Sequence, residues 1–182
     1  MKKIITLNLI IFFLKINFAL GQNVIFKTNK NVNTKDWVVI NDDVMGGVSS
    51  SNISVNKEGF LQFFGNISLK NNGGFASVSY KCKKMVVENK TKIQLRLKGD
   101  GKKYQLRIKE KIDDYYSYVA SFQTTGNWET ISIYLKEMYP SFRGRTLDLK
   151  NFNENSFEQI SFLIGNNKRE SFKLIIDEII LK

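Results

Sequence analysis

The sequence predicts an all-β fold, a β-sandwich of jelly-roll type. Apolar and polar residues alternate over short stretches along most of the chain, and Gly, Asn and Asp turns separate those stretches at nearly regular spacing. No segment sustains a helical period over three turns. Short strands in this arrangement are the signature of a sandwich or jelly roll. The 182 residues amount to about one domain, and 42% apolar content with 14 Phe and 7 Tyr can fill a sizeable core. One Pro, and no long low-complexity tract, argue against disorder on a large scale. No internal repeat or linker divides the chain, so residues 22–182 are expected to form a single domain.

Residues 1–21 are expected to be an export signal. Lys2 and Lys3 open it, Ile4 to Leu14 is mostly apolar, and Ala19-Leu20-Gly21 offers small residues for cleavage before Gln22. Lys15 and Asn17 cut the apolar run too short for a comfortable transmembrane helix. No cysteine follows it to carry a lipid anchor; an uncleaved N-terminal anchor is the alternative. The mature protein is therefore expected outside the cytoplasm, periplasmic or secreted, with no stable membrane insertion. Gln22 to Lys35 is either a disordered lead or an edge strand.

The chain is organised around Trp37 to Ser51, WVVINDDVMGGVSSS. Val38, Val39 and Ile40 make a β-branched run that breaks into Asn41-Asp42-Asp43; Met45, the pair Gly46-Gly47 and a serine run follow. The order implied is strand, acidic turn, glycine pair, strand. Adjacent glycines mark torsions or approaches that a Cβ would forbid, and the acids beside them either accept hydrogen bonds from turn amides or serve in binding. Gly59 to Leu69 is apolar and β-rich, broken at Gly65. Gly73-Gly74 opens Phe75 to Tyr80, where Ala76, Val78 and Tyr80 alternate with serines. Ile93, Leu95 and Leu97 share one strand face, and Tyr104, Leu106 and Ile108 repeat the pattern after a Gly99-Asp100-Gly101-Lys102 turn, which predicts a hairpin over 92–109. Alternation returns at Tyr116 to Phe122, Ile131 to Leu135, Ile160 to Ile164 and Phe172 towards Leu181. Lys136 to Asn155 is the least regular stretch and is expected to be a long connection.

Composition excludes several chemistries. There is no histidine, which removes His-based triads, His-ligated zinc and imidazole bases. Cys82 is the only cysteine, so no internal disulfide forms. Its lysine neighbours would favour a reactive thiolate; a surface or half-buried inert thiol is the plainer expectation. The signal carries three of the 28 basic residues and none of the 17 acidic ones, which leaves the mature chain at +8. The lysines are spread along the chain and do not form one patch, and no nucleic-acid partner is expected.

The block WVVINDDVMGGVSSS, NNGGFASV at 71–78 and KGDGKKYQLRI at 98–108 together resemble the complex I intermediate-associated protein 30 family. NWETISIYL at 127–135 and YPSFRGR at 139–145 follow in the expected order, so the likeness spans essentially the whole mature chain. Locally, Tyr134-Leu135 stands where the family usually has a Leu-Pro pair. The resemblance implies a galactose-binding-domain-like jelly roll. It also implies a non-catalytic role like that of the mitochondrial members, assembly factors that hold respiratory complex I intermediates.

Three classes of function follow. A protein-binding module would use Trp37, Asn41, Asp42, Asp43, Met45, Gly46 and Gly47 together with Gly73, Gly74, Phe75, Asp100, Arg107 and Arg143, several of them converging at one loop end of the sandwich. Alternatively Trp37 and Phe75 are core and Arg107 pairs with Asp100. A carbohydrate-binding module would stack sugar on Trp37, Trp128, Tyr115, Tyr116 or Tyr118 beside polar groups. An enzyme would need a carboxylate dyad, and Asp42-Asp43 or Asp113-Asp114 point to opposite strand faces. The expectation is a non-enzymatic module without cofactor or metal; the Asn41-Asp42-Asp43 oxygens offer only a weak Ca²⁺ option. Its partner is a protein, with carbohydrate as the alternative.

Overall fold

The computed structural model describes residues 23–29, 32 and 34–182. The expected export signal, residues 1–21, lies outside them, and so does Gln22. The chain forms an all-β, two-sheet antiparallel sandwich. In order, the strands are β1 (Asn23–Lys27), β2 (Trp37–Asn41), β3 (Ser50–Val55), β4 (Leu61–Ile67), β5 (Ala76–Val86), β6 (Lys92–Lys98), β7 (Lys103–Lys109), β8 (Ser117–Gln123), β9 (Trp128–Tyr134), β10 (Tyr139–Phe142), β11 (Arg145–Thr146), β12 (Ser156–Ile164) and β13 (Glu170–Leu181). One sheet runs β3-β4-β13-β6-β9, with β1 also on β13; the other runs β11-β10-β8-β7-β12-β5-β2. Three short 3₁₀ turns are the helical elements among the described residues.

Period-two alternation builds the core. Ile93, Leu95 and Leu97 of β6, Tyr104, Leu106 and Ile108 of β7, and Ile160, Phe162 and Ile164 of β12 all point inward and are almost fully buried. Each such side chain contributes roughly 1.5–3 kcal/mol of hydrophobic stabilisation. Tyr104 donates its hydroxyl to Asp100 at 2.8 Å, so its polar tip is satisfied at the core's edge.

Four expectations about elements are corrected or completed. The strands 92–98 and 103–109 form where expected, but they do not make a hairpin. β6 pairs with β13 and β9, while β7 pairs with β12 and β8. Both strands bury an apolar face, and turning the 99–102 link into an arch between the sheets lets those faces meet. Gly65 does not break its strand; β4 runs through it, and a Cβ there would press on the β3 backbone at Ser50 and Ser51. The supposed long connection contains β10 and β11, whose Tyr-Pro-Ser-Phe sequence carries no alternation. The lead at 22–35 contains a true strand, β1, laid along β13 at 178–181.

Candidate functional site

β2 carries the chain to one end of the sandwich, where Asp42–Met45 form a 3₁₀ turn. Asp42 points inward and is 1% exposed. Its Oδ1 accepts from the Ser49 amide at 2.9 Å, and its Oδ2 accepts from the Ser49 hydroxyl at 2.5 Å, the Gly74 amide at 2.6 Å and the Phe75 amide at 3.3 Å. The carboxylate therefore staples the 42–49 turn to the loop before β5. Burial alone would push its pKa up, but these donors outweigh burial and hold the carboxyl below its ordinary value.

The two glycine pairs divide the work around this staple. Gly46 and Gly74 take positive φ, at 88° and 139°. Gly47 and Gly73 instead leave room for the carboxylate, since a Cβ on either would collide with the Asp42 side chain. Further bonds tie the loops together. Ser68 N donates to Ser49 Oγ at 2.9 Å, the Asn71 amide donates to the Gly46 carbonyl at 3.1 Å, and Ser51 Oγ donates to Asn41 Oδ1 at 2.5 Å. The Asp43 carboxylate turns outward and, among the described residues, accepts from the Val44 amide at 3.0 Å.

This stapled end displays apolar side chains. Val44 is 68% exposed, Met45 57%, Val48 51% and Leu69 47%. Val44, Met45, Val48 and Leu69 thus stand exposed on loops held together by the Asp42 hydrogen bonds.

The structure thus gathers Asn41, Asp42, Asp43, Met45, Gly46, Gly47, Gly73, Gly74 and Phe75. Asp100 lies at the same end: the 165–167 turn packs against Gly74 and Phe75, and its Asn166 reaches the Lys103 carbonyl at 3.1 Å. Asp100 is already occupied by Lys102 Nζ at 2.6 Å, Tyr104 and the Lys173 amide at 2.9 Å. Trp37 begins β2 away from this end and sits in the core, its ring 4.9 Å from Tyr80 and 5.2 Å from Phe26. Phe75 is half-buried. Arg143 lies in the β10–β11 turn at the opposite end, its guanidinium 5.2 Å from the Phe142 ring.

Arg107 does not pair with Asp100. It stands on the outer face of the seven-stranded sheet, because its neighbours Leu106 and Ile108 point into the core. Strand register places it in a row across six strands, Tyr139, Val119, Arg107, Ser161, Ser79 and Val38. Its Nε is buried without a hydrogen-bond partner, and burial lowers its pKa against a small opposing effect of Tyr139.

Of the proposed sugar-stacking aromatics, Tyr115, Tyr116 and Tyr118 form one cluster, with successive ring centroids 5.1 and 5.4 Å apart, while Trp37 and Trp128 lie apart from it. Tyr118 is buried and donates to Glu154 at 2.9 Å; Tyr115 is exposed; Tyr116 is half-buried; Trp128 packs on Phe60 at 4.8 Å under Arg96. Among the described residues no three potential His, Cys, Asp or Glu ligands gather, and no helix is long and apolar enough to cross a membrane. Sequence reasoning missed Ser49, Val44, Val48 and Leu69. The serine run held a signal for Ser49: a hydroxyl a few residues beyond an acidic turn is placed to close back on it.

The family model for complex I intermediate-associated protein 30 matches residues 24–176. No curated protein matches. Among solved structures, the family 11 carbohydrate-binding module of a cellulosomal cellulase of Clostridium thermocellum superposes with a TM-score of 0.67 at 21% identity, over 90% of this chain and 95% of that one. A family 11 module from Clostridium thermocellum in complex with a β-1,3-1,4-mixed-linked tetrasaccharide gives 0.64 at 19% identity, over 90% and 96%. A mutant of a family 29 carbohydrate-binding module gives 0.52 at 12% identity, over 88% and 90%. At these identities the likeness is one of fold.

Proposed function

The chain belongs to the complex I intermediate-associated protein 30 family, and from that premise we propose that it is an exported, non-catalytic module that holds a protein partner at its stapled loop end. The observation that carries this reading is the Asp42 network. It spends a carboxylate, two glycine pairs and Ser49 on fixing a loop whose outward residues, Val44, Met45, Val48 and Leu69, are apolar and exposed. Aliphatic residues on a fixed backbone bind with little ordering cost, which is what a holding factor needs. The family's characterised role in assembly supports the same class of partner.

Affinity capture from the native host tests this reading. The tagged protein is compared with a Val44→Ser/Met45→Ser variant, whose exposed sites should change stability by no more than about 0.5 kcal/mol. Loss of one specific protein from the variant's eluate, at unchanged Tm, is the expected result. Identical eluates from both baits would remove the loop end as the contact surface.

A second reading, saccharide binding, is favoured by the outer face of the seven-stranded sheet. That face is paved with hydroxyl and amide groups from Ser77, Ser79, Gln105, Gln159, Ser161 and Ser121, and it does not use the stapled loop. The sandwich it belongs to is shared with modules named for carbohydrate binding.

A further inference from the structure

Arg107 is a half-buried cation whose charge nothing in the described chain answers. Four ion pairs form among the described residues, and Arg107 is in none of them. Its Nε is buried and unpartnered. The positions flanking it in register are Val119 and Ser161; the next rows bring Gln105, Leu163 and Lys109, and the far neighbour along its own row is Tyr139. None is a carboxylate. An unpaired buried cation is costly to keep, and an anion delivered by a ligand removes that cost while gaining charge-assisted hydrogen bonds.

The surroundings show what the anion is attached to. Among the described residues no third sheet lies over this face, yet Ser77, Ser79, Ser161 and Ser141 are at most 9% exposed and Val119 is 1% exposed. Neighbouring residues therefore cover most of the surface of these side chains. Ser79 and Ser161 share a hydrogen bond at 2.9 Å, and Gln159 donates to Ser161 at 3.2 Å, which leaves the pair of hydroxyls with lone pairs for further donors. Towards the loop end this face meets a cavity of about 250 Å³ lined by Lys103, Gln105, Leu163 and Asn166. Around Arg107 the face sets hydroxyls and amides of Ser79, Ser161, Gln105 and Gln159 beside the apolar Val119 and Leu163, the mixture of polar groups and apolar surface that a saccharide site uses.

We propose that the outer face of the seven-stranded sheet binds a carboxylate-bearing saccharide, a uronate, with Arg107 receiving the carboxylate and the serine and glutamine side chains receiving the ring hydroxyls. This inference rests on the saccharide reading and narrows it to acidic sugars. The basic charge of the chain, +8 once residues 1–21 are removed, draws such ligands in at long range.

The test is calorimetric titration of the full chain at physiological salt with trigalacturonate, its methyl ester, and a neutral mixed-linkage glucan tetrasaccharide. Wild type should bind trigalacturonate about tenfold more tightly than the ester, in keeping with the loss of a charge-assisted bond. Arg107→Gln should lose that preference, and Arg107→Lys should keep part of it. A remote exposed variant, Lys57→Gln, should behave as wild type. The ester comparison uses unaltered protein, so it stands even if an Arg107 variant folds poorly. If ester and neutral glucan bind as well as trigalacturonate, and Arg107→Gln changes nothing, the acidic-sugar inference falls while the saccharide reading stands. If none of the three binds, both fall. Equal losses in Lys57→Gln and Arg107→Gln would reduce the effect to general charge attraction and overturn the inference.

Discussion

Asp42 and Asp43 are chemically identical neighbours, and the 3₁₀ turn sends one inward and the other out to water. Replacing Asp42 with Ala strands the amides of Ser49, Gly74 and Phe75 away from water. The expected loss is about 3 kcal/mol, or a fall in Tm on the order of 10 °C, read by thermal denaturation; Asp43→Ala should leave Tm almost unchanged. The acid limb of the stability curve reports the same contact. Because the folded Asp42 pKa lies below its unfolded value, its contribution is complete above the unfolded pKa and vanishes as pH falls through the folded one. Wild type should therefore begin to lose its margin over Asp42→Ala once the pH drops below about 4, near the unfolded aspartate value, and lose more as the pH falls further. Cys82 behaves oppositely to what its lysine neighbours suggested. Burial pushes its thiol up to about 11, so native protein should react only slowly with an alkylating thiol reagent at pH 8, and urea should release full reactivity. The inert thiol was the plainer expectation for Cys82, but its burial, like the inward turn of Asp42, was not legible in composition, since both turn on which way one side chain faces. The alternation of Tyr104, Leu106 and Ile108, by contrast, reported its buried face directly.

At the level of elements, strand positions were legible and strand partners were not. A period of two says which residues share a face but is silent on which edge finds which neighbour. For this reason β6 and β7 were placed correctly and paired wrongly: the short Gly-Asp-Gly link fits a tight turn and an inter-sheet arch equally well. Gly65 carries a similar ambiguity. In sequence it reads as a break, whereas in the sheet it marks a close approach of β3 to β4, where a Cβ would lie 2.7 Å from the Ser51 Cα. Gly65→Ala should thus cost about 2 kcal/mol by overpacking, measurable by urea denaturation with an unchanged m-value. Should that variant be as stable as wild type, the two strands do not press together at this point.

For the molecule as a whole, the two candidate surfaces are separate and differ in character. The loop end is aliphatic and braced; the outer face of the seven-stranded sheet is polar and centred on an unanswered cation. The first was largely visible beforehand because glycine pairs and acids are conspicuous in a sequence. The second was not, because an arginine's lack of a partner is a property of the space around it, and Asp100 offered a ready but unrealised mate.

The placement of β13 has a consequence in time. This strand bridges β4 and β6 and also carries β1, yet it lies later in the chain than all three. Until it arrives, β1, β4 and β6 have no common strand to close on, and the six-stranded sheet is missing its middle. A chain emerging from the ribosome must therefore stay pliable through almost its entire synthesis, and its sandwich closes as a late, largely non-local event of the kind that folds in milliseconds to seconds.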